Sequence, residues 1–328
     1  MSDLYPFLLQ PEFVERPWGA CDLSPIYPEH RCERPVGEVW LTGDENRVTN
    51  GPLAGRTLGE LCRKYGRALV GEAACETERF PLLIKFLFPR EKLSVQVHPD
   101  DEAARRVGQP CGKTECWYVL QADPGAQVAL GLKPGVTREQ LAQAIQEVRA
   151  EQLLNWVDIH PGEMIYVDAG TVHTIGPGSI LVETQQNSDT TYRLYDYGRP
   201  REIHVEHGLA ATKECTRAGK VQASGDGELD SLVSSNCFCV NRYRFVDSWI
   251  SSDNRQPYSR PSVEIVLGLA GSGLVQAEGF PAVSVGRGDV VVMPASIPSF
   301  QINSEGVMEA LSMFLPPLGT TVEPETTL

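Results

Sequence analysis

Short apolar segments separated by glycine and proline are the feature of this sequence that most limits its fold. The 328 residues include 30 Gly and 24 Pro, which favour tight turns over long helices. Residues 81–88 form an apolar run bounded by proline, and apolar residues alternate with polar ones over residues 93–98. This pattern predicts a mainly β fold, either a sandwich or a barrel, and argues against a doubly wound parallel sheet.

Two segments carry helical signals. Thr57 is a suitable N-cap for a short helix near residues 57–65. Residues 137–140 have capping-box form, and apolar residues follow them at helical spacing. We therefore predict a second helix over residues 138–149 and a turn of helix near residues 153–154. Together these make a small helical insertion over about residues 137–155.

Charge and cysteine usage restrict the partners and the compartment. The chain has 29 Lys and Arg against 43 Asp and Glu, a formal net charge of −14, which argues against nucleic acids and anionic membranes as partners. We find neither an apolar run of membrane-spanning length nor a signal peptide, and the nine cysteines are scattered. We expect a cytoplasmic protein with reduced thiols and no membrane span.

Two pairs of polar residues are candidates for chemistry. Gln96 and His98 lie on one face of a predicted strand, because side-chain direction repeats every two residues. They could bind a metal, or the strand face could simply be open to water. Lys113 and Glu115 have the same spacing and could serve a metal and an anionic substrate, or form a surface ion pair.

A third segment, residues 162–173, ends a strand in a glycine turn, after which His173 follows. It matches the second motif of the cupin superfamily, with Asp168 where proline is usual. Gln96, His98, Glu115 and His173 would supply two nitrogens and two oxygens, which suits Zn²⁺ with an open position. Other divalent ions would also accept this set.

A fourth segment, residues 183–198, is rich in hydrogen-bonding and aromatic side chains, as sugar pockets are. Arg193 could hold a phosphate or a developing oxyanion there. The alternative interpretation is an ordinary polar strand with a surface arginine.

Taken together, these segments resemble the short bacterial type I mannose-6-phosphate isomerases. Residues 96–99, 112–115, 169–173 and 183–198 have that family's order and spacing, and residues 16–19 and 50–58 resemble its N-terminal landmarks. The resemblance covers residues 10–212, whereas the last hundred residues are only cupin-like. It implies two cupin (jelly-roll) β-barrels and one zinc ion per chain, held by Gln96, His98, Glu115 and His173.

The same resemblance implies an activity and further site residues. The activity is interconversion of mannose 6-phosphate and fructose 6-phosphate through an enediol, with a small phosphorylated sugar as partner. Arg193 matches the active-site arginine, and Lys113 and Glu183 match other pocket positions. The general base stays open among Glu183, Lys113 and a metal-bound hydroxide. The alternatives are a cupin oxygenase and a non-catalytic sugar-binding protein.

The C-terminal part differs in its chemistry. Residues 288–299 have the shape of the cupin motif, but Ser296 replaces its glycine and Ser299 replaces its histidine. No histidine follows His207. We therefore predict a catalytic domain over residues 1–212 and a second, degenerate cupin domain without metal over residues 213–328, with residues 213–233 as a linker or an excursion from the fold. The oligomeric state is expected to be monomer or homodimer.

Overall fold

The structure is a computed structural model that describes residues 3–250 and 262–328. The strands are β1 Phe7–Leu8, β2 Glu12–Ala20, β3 Val36–Trp40, β4 Leu82–Leu87, β5 Val95–Val97, β6 Glu115–Ala122, β7 Gln127–Leu132, β8 Leu154–Asp158, β9 Met164–Val167, β10 His173–Ile175, β11 Ser179–Gln186, β12 Tyr192–Tyr195, β13 Gly219–Val221, β14 Ser224–Gly225, β15 Leu229–Ser234, β16 Cys239–Phe245, β17 Ser248–Ile250, β18 Glu264–Ala270, β19 Ser272–Gln276, β20 Val283–Gly286, β21 Val290–Met293, β22 Gln301–Ser304, β23 Met308–Phe314 and β24 Thr326–Thr327. The helices are α1 Leu58–Tyr65, α2 Arg67–Val70, α3 Asp101–Arg106, α4 Arg138–Gln146 and α5 Val205–Ala211, with a 3-10 helix at Ala150–Leu153.

The N-terminal half consists of two antiparallel sheets that face each other. An eight-stranded sheet has the order β2-β3-β4-β11-β6-β9-β13-β24, and a five-stranded sheet has the order β12-β5-β10-β7-β8. Trp117 and Ile165 of the larger sheet pack with Val128 and Ile175 of the smaller one in a single buried cluster. Side chains of alternate residues in each strand therefore fill the space between the sheets.

The C-terminal half repeats this arrangement with other sheets. A seven-stranded sheet, β1-β21-β18-β23-β16-β15-β14, faces a four-stranded sheet, β17-β22-β19-β20. Their shared core contains Tyr243 and Val266 from the larger sheet, and Val275 and Ile302 from the smaller. The mainly β prediction is confirmed. None of the four sheets closes on itself within the described residues, and both the two-barrel architecture and the domain boundary after residue 212 stay predictions.

The two larger sheets pack against each other through their remaining faces. Tyr118 and Val182 of the eight-stranded sheet share a buried cluster with Ile265 and Leu311 of the seven-stranded sheet. In β6, Tyr118 therefore points to this central layer, whereas its neighbours Trp117 and Val119 belong to the N-terminal core. The order of the sheets through the molecule is five, eight, seven and four strands.

The terminal strands cross between the halves. β1 pairs with β21 of the C-terminal half through Phe7 and Val292. β24 pairs with β13 of the N-terminal sheet through Thr327 and Lys220. Each half is therefore completed by a strand from the opposite end of the chain.

The N-terminal ends of the predicted helices match the sequence prediction more closely than the C-terminal ends do. Thr137 forms the predicted capping box, and Thr57, which was predicted as an N-cap, forms a capping box as well. The second helix ends at Gln146, three residues earlier than predicted, and Val148 then takes a positive φ of 57°. The predicted turn near residues 153–154 is the 3-10 helix. Within the described residues, no helix is both long and apolar enough to cross a membrane.

The prediction that residues 213–233 form a linker is wrong. This segment contains β13 and β14 and most of β15, all of which pair with neighbouring strands. These strands are short and carry partly exposed polar residues, so their composition resembles that of a loop.

Candidate active site

The predicted metal ligands meet between the two N-terminal sheets. Gln96 lies on β5 and His173 on β10, and their Cα atoms are directly paired in the five-stranded sheet. His98 follows β5 by one residue, and Glu115 begins β6 in the facing sheet. Four residues from three separate motifs therefore surround one point, as the strand alternation predicts.

The two histidines and the glutamate of this group lie close together and are almost fully buried. His98 Nε2 lies 3.5 Å from Glu115 Oε2, and His173 Nε2 lies 3.3 Å from Glu115 Oε1. All the candidate ligand atoms of this triad lie within 4.8 Å of one another. It is the only such group of three or more His, Cys, Asp or Glu found in residues 3–250 and 262–328.

Backbone carbonyls determine the proton position on both imidazoles. His98 Nδ1 donates to Thr190 O and His173 Nδ1 donates to Thr171 O, each at 2.9 Å. Because a carbonyl can only accept, the proton resides on Nδ1 and the Nε2 lone pairs point to Glu115. Burial lowers the pKa of His98 well below its ordinary value, and lowers the pKa of His173 to about 4, so both rings are neutral.

The donor set fits a divalent cation. His98 Nε2 is buried and has no hydrogen-bond partner, a costly state that a bound metal ion would relieve. The Gln96 amide approaches His173 Nε2 at 3.2 Å through Nε2, and a 180° rotation of the amide presents Oε1 instead. Two imidazole nitrogens, a carboxylate and an amide oxygen then face a common centre.

Two ionisable side chains adjoin the triad. Lys113 Nζ lies 3.1 Å from Glu115 Oε2 and 3.7 Å from Glu183 Oε1. Burial opposes the charge on Lys113, but Glu115 and Glu183 outweigh it and raise its pKa, so the ammonium is retained. Burial raises the pKa of Glu183, although Lys113 opposes this effect, which makes the carboxylate more basic than an exposed one.

Side chains of alternating charge form a line that leads from Glu183 away from the triad. This line was not predicted from the sequence. Lys85 Nζ lies 3.5 Å from Glu183 Oε1 and 3.8 Å from Glu38 Oε2. Arg16 donates to both carboxylate oxygens of Glu38, at 3.0 and 3.1 Å. The available signal was Lys85 itself, which is a lysine inside the apolar run of residues 81–88.

Arg193 lies at the other side of the triad. Its Cα is paired with that of Gln96, and its buried Nε has no hydrogen-bond partner. Burial and the neighbouring Arg201 lower its pKa. In the described part of the chain no carboxylate lies within ion-pair distance of Arg193, whereas Arg201 forms a two-point pair with Asp196 at 2.6 and 2.7 Å. The site therefore has a partly buried guanidinium available for an anion.

Asp168, which departs from the cupin motif, anchors the turn that leads to His173. Its Oδ1 accepts from Thr171 Oγ1 at 2.9 Å and from Arg217 N at 3.1 Å. Gly170, with φ of 94°, donates its N–H to His98 O at 2.9 Å. The turn therefore holds the backbones of two predicted ligands together without a proline.

The other histidines lie elsewhere. His160 and His207 are exposed, and His30 stacks on Phe13 with ring centroids 3.6 Å apart. His204 directly precedes α5.

Comparison with known proteins connects this geometry to a family. A family model of the type I phosphomannose isomerase catalytic domain matches residues 7–128. A mannose-6-phosphate isomerase of Streptococcus mutans is 34% identical over 313 residues, covering 92% of this chain and 96% of the relative. A probable mannose-6-phosphate isomerase of Bacillus subtilis is 32% identical over 320 residues, with 93% and 98% covered.

Solved structures agree with the sequence relatives. The crystal structure of the Bacillus subtilis mannose 6-phosphate isomerase superposes with a TM-score of 0.82 at 31% identity, covering 94% of this chain and 99% of that one. A putative mannosephosphate isomerase from Archaeoglobus fulgidus has a TM-score of 0.75 at 22% identity, covering 96% and 99%, and shows similarity of fold.

Proposed function

Because the chain belongs to the type I phosphomannose isomerase family, we propose that it interconverts mannose 6-phosphate and fructose 6-phosphate with one bound zinc ion, through an enediol intermediate. The predicted family and the prediction of an isomerase are confirmed. The expectation that the resemblance ends at residue 212 is wrong, since the relatives cover more than nine-tenths of the chain. The oxygenase and the sugar-binding protein are not favoured.

One observation carries the proposal for the metal: two neutral imidazoles and a carboxylate converge in a buried space, where His98 Nε2 has no hydrogen-bond partner. We assign Gln96, His98, Glu115 and His173 as the ligands. Zinc bound there would supply Lewis-acid polarisation of the sugar's carbonyl and hydroxyl oxygens.

Proton transfer between C1 and C2 needs a base beside the sugar. Of the candidates on this chain, Glu183 suits the role better than Lys113, since burial raises the pKa of Glu183 whereas its two carboxylate neighbours raise the pKa of Lys113 and keep it charged. We propose that the Glu183 carboxylate takes the C2 proton of mannose 6-phosphate and returns it to C1.

The cations of the site stabilise negative charge. We assign Lys113, which is charged and 3.1 Å from Glu115, to the negative charge that develops on the oxygens of an enediolate. Arg193 has no carboxylate partner among the described residues and enters the site from β12 beside Gln96, so we assign it to the phosphate or to the reacting oxygens.

A coupled assay with mannose 6-phosphate, run with metal analysis, tests these roles. We expect activity to disappear with a chelator and to return with Zn²⁺. Arg193→Ala and Glu183→Gln should both keep bound zinc and lose about 10²–10³-fold in turnover, as removal of one charge-stabilising or proton-transferring group does.

Several outcomes would contradict the proposal. Activity that survives chelation would rule out the metal, and wild-type turnover in Arg193→Ala or Glu183→Gln would rule out that residue's role. Oxygen uptake without isomerisation would instead support the oxygenase.

A further inference from the structure

A second cavity lies between the two halves of the molecule, on the side of the eight-stranded sheet away from the metal triad. Its volume is about 450 Å³, and its walls include Tyr118 and Leu120 of β6 and Arg242 and Arg244 of β16. Along β6, Glu115 points to the triad, whereas Tyr118 belongs to the layer between the halves. The volume lies in the range of small-molecule sites, about 300–1,000 Å³, and such sites are common at interfaces between domains.

Three arginines line this cavity, although the chain as a whole is strongly acidic. Arg242 pairs with Asp230 at 2.6 Å, but its buried Nε has no hydrogen-bond partner. Arg287 donates its Nε to Leu269 O at 3.0 Å, which leaves its terminal nitrogens for other acceptors. In the described part of the chain, no carboxylate lies within ion-pair distance of Arg244. The cavity therefore has guanidinium donors in excess of acceptors, the arrangement that binds multi-oxygen anions.

The other residues that line the cavity indicate the chemistry of the remainder of the ligand. Glu309 accepts from Tyr118 OH through Oε1 at 3.1 Å, and its other oxygen can accept from a ligand. The Gln121 amide lines the same space, together with apolar atoms of Leu120 and Leu269. A carboxylate beside arginines repels a bare anion, but it favours an anion that also presents hydroxyl groups.

We infer that this cavity is a second binding site, separate from the active site, for a small phosphorylated sugar or polyol. The guanidinium groups of Arg242, Arg244 and Arg287 take the phosphate, and Glu309 and Gln121 take the hydroxyl groups. A ligand held in this way contacts both halves of the molecule at once. This inference does not depend on the proposed zinc chemistry.

Binding of sorbitol 6-phosphate to the zinc-loaded protein tests the inference, because this hexitol phosphate has no carbonyl group and cannot be isomerised. We expect two equivalents per chain by equilibrium dialysis. The double variant Arg244→Gln/Arg287→Gln, at two exposed positions, should lose one equivalent and keep basal turnover. Arg193→Ala should lose the other equivalent. The matched double variant Arg34→Gln/Arg63→Gln removes the same charge at exposed positions outside the cavity and should keep both.

The possible results separate clearly. Two equivalents in Arg244→Gln/Arg287→Gln, a single wild-type equivalent that Arg193→Ala removes, or equal losses in the matched control would each overturn the second site. Failure of the proposed active-site role appears elsewhere, as retention of both equivalents in Arg193→Ala.

Inorganic phosphate tests the class of ligand. We expect phosphate to bind the cavity at least about tenfold more weakly than sorbitol 6-phosphate, because it lacks the one or two hydrogen bonds that the hydroxyl groups make. Glu309→Gln should reduce this difference in affinity. Equal affinities in the wild type would exclude a hydroxylated ligand body.

Discussion

The two halves of the molecule enclose very different interiors within similar pairs of antiparallel sheets. Between the N-terminal sheets, buried Lys85, His98, Lys113, Glu115 and Glu183 lie in contact with one another. The corresponding C-terminal space is filled mainly by apolar side chains. Among the described residues after 212, only Asp230 is both charged and fully buried, and it pairs with Arg242 on the other face of its sheet.

The difference shows that two facing antiparallel sheets of this kind do not require a polar interior. Buried charges are costly even when paired, and apolar packing can replace them without loss of stability. The C-terminal half represents the apolar solution. The N-terminal half keeps ionisable groups because, as we propose, they bind a cation and move a proton, so its polar residues reflect function rather than folding.

The largest expected difference between the two halves is in metal binding. His98→Ala should abolish zinc binding and activity, because it removes one of two imidazoles from the triad. Ser299→Ala, at the position where the C-terminal motif would carry its histidine, should leave both unchanged. Metal analysis of the purified variants measures the effect. Equal zinc content in His98→Ala and the wild type would contradict the ligand assignment.

The next effect compares the stabilities of the two interiors. Lys85→Met removes the buried cation between Glu38 and Glu183 and should cost about 3–5 kcal/mol in the free energy of unfolding, since two buried carboxylates lose the cation that they share. Ile302→Val, in the apolar C-terminal core, should cost about 0.5–1.5 kcal/mol. Urea unfolding measures both. Equal costs would mean that the charge line adds nothing beyond ordinary packing.

The smallest expected effect is on the pH dependence of unfolding. Although burial alone would raise it, Lys85 and Arg16 hold the pKa of Glu38 at about 2, below its ordinary value of 4.5. The stability from this lowered pKa is complete above pH 4.5 and is lost as the pH falls towards 2, and it amounts to about 3 kcal/mol. Unfolding between pH 5 and 2 should therefore be less steep with pH in Glu38→Gln. Identical slopes would show that Glu38 is not held ionised.

The sequence was sufficient for the site's centre and insufficient for its surroundings. Strand alternation put Gln96 and His98 on one face, and Lys113 and Glu115 on another, but only the cupin motif and the family resemblance joined them to His173 as one site. The line from Glu183 to Arg16 depends on which strands become neighbours: β4 pairs with both β3 and β11, and no local pattern encodes that choice. The cavity between the halves has the same origin, since its lining residues come together only when β16 packs near β6.

The crossed terminal strands constrain how the chain is made. Phe7 pairs with Val292, which follows it by 285 residues, so a growing chain completes this edge only after residue 292 has been made. Until then, the leading segment has no partner in its final sheet, and the N-terminal half also waits for Thr326 and Thr327. Each half therefore depends on a strand that lies far away along the chain, and a nascent chain that lacks it leaves a sheet edge of that half unpaired.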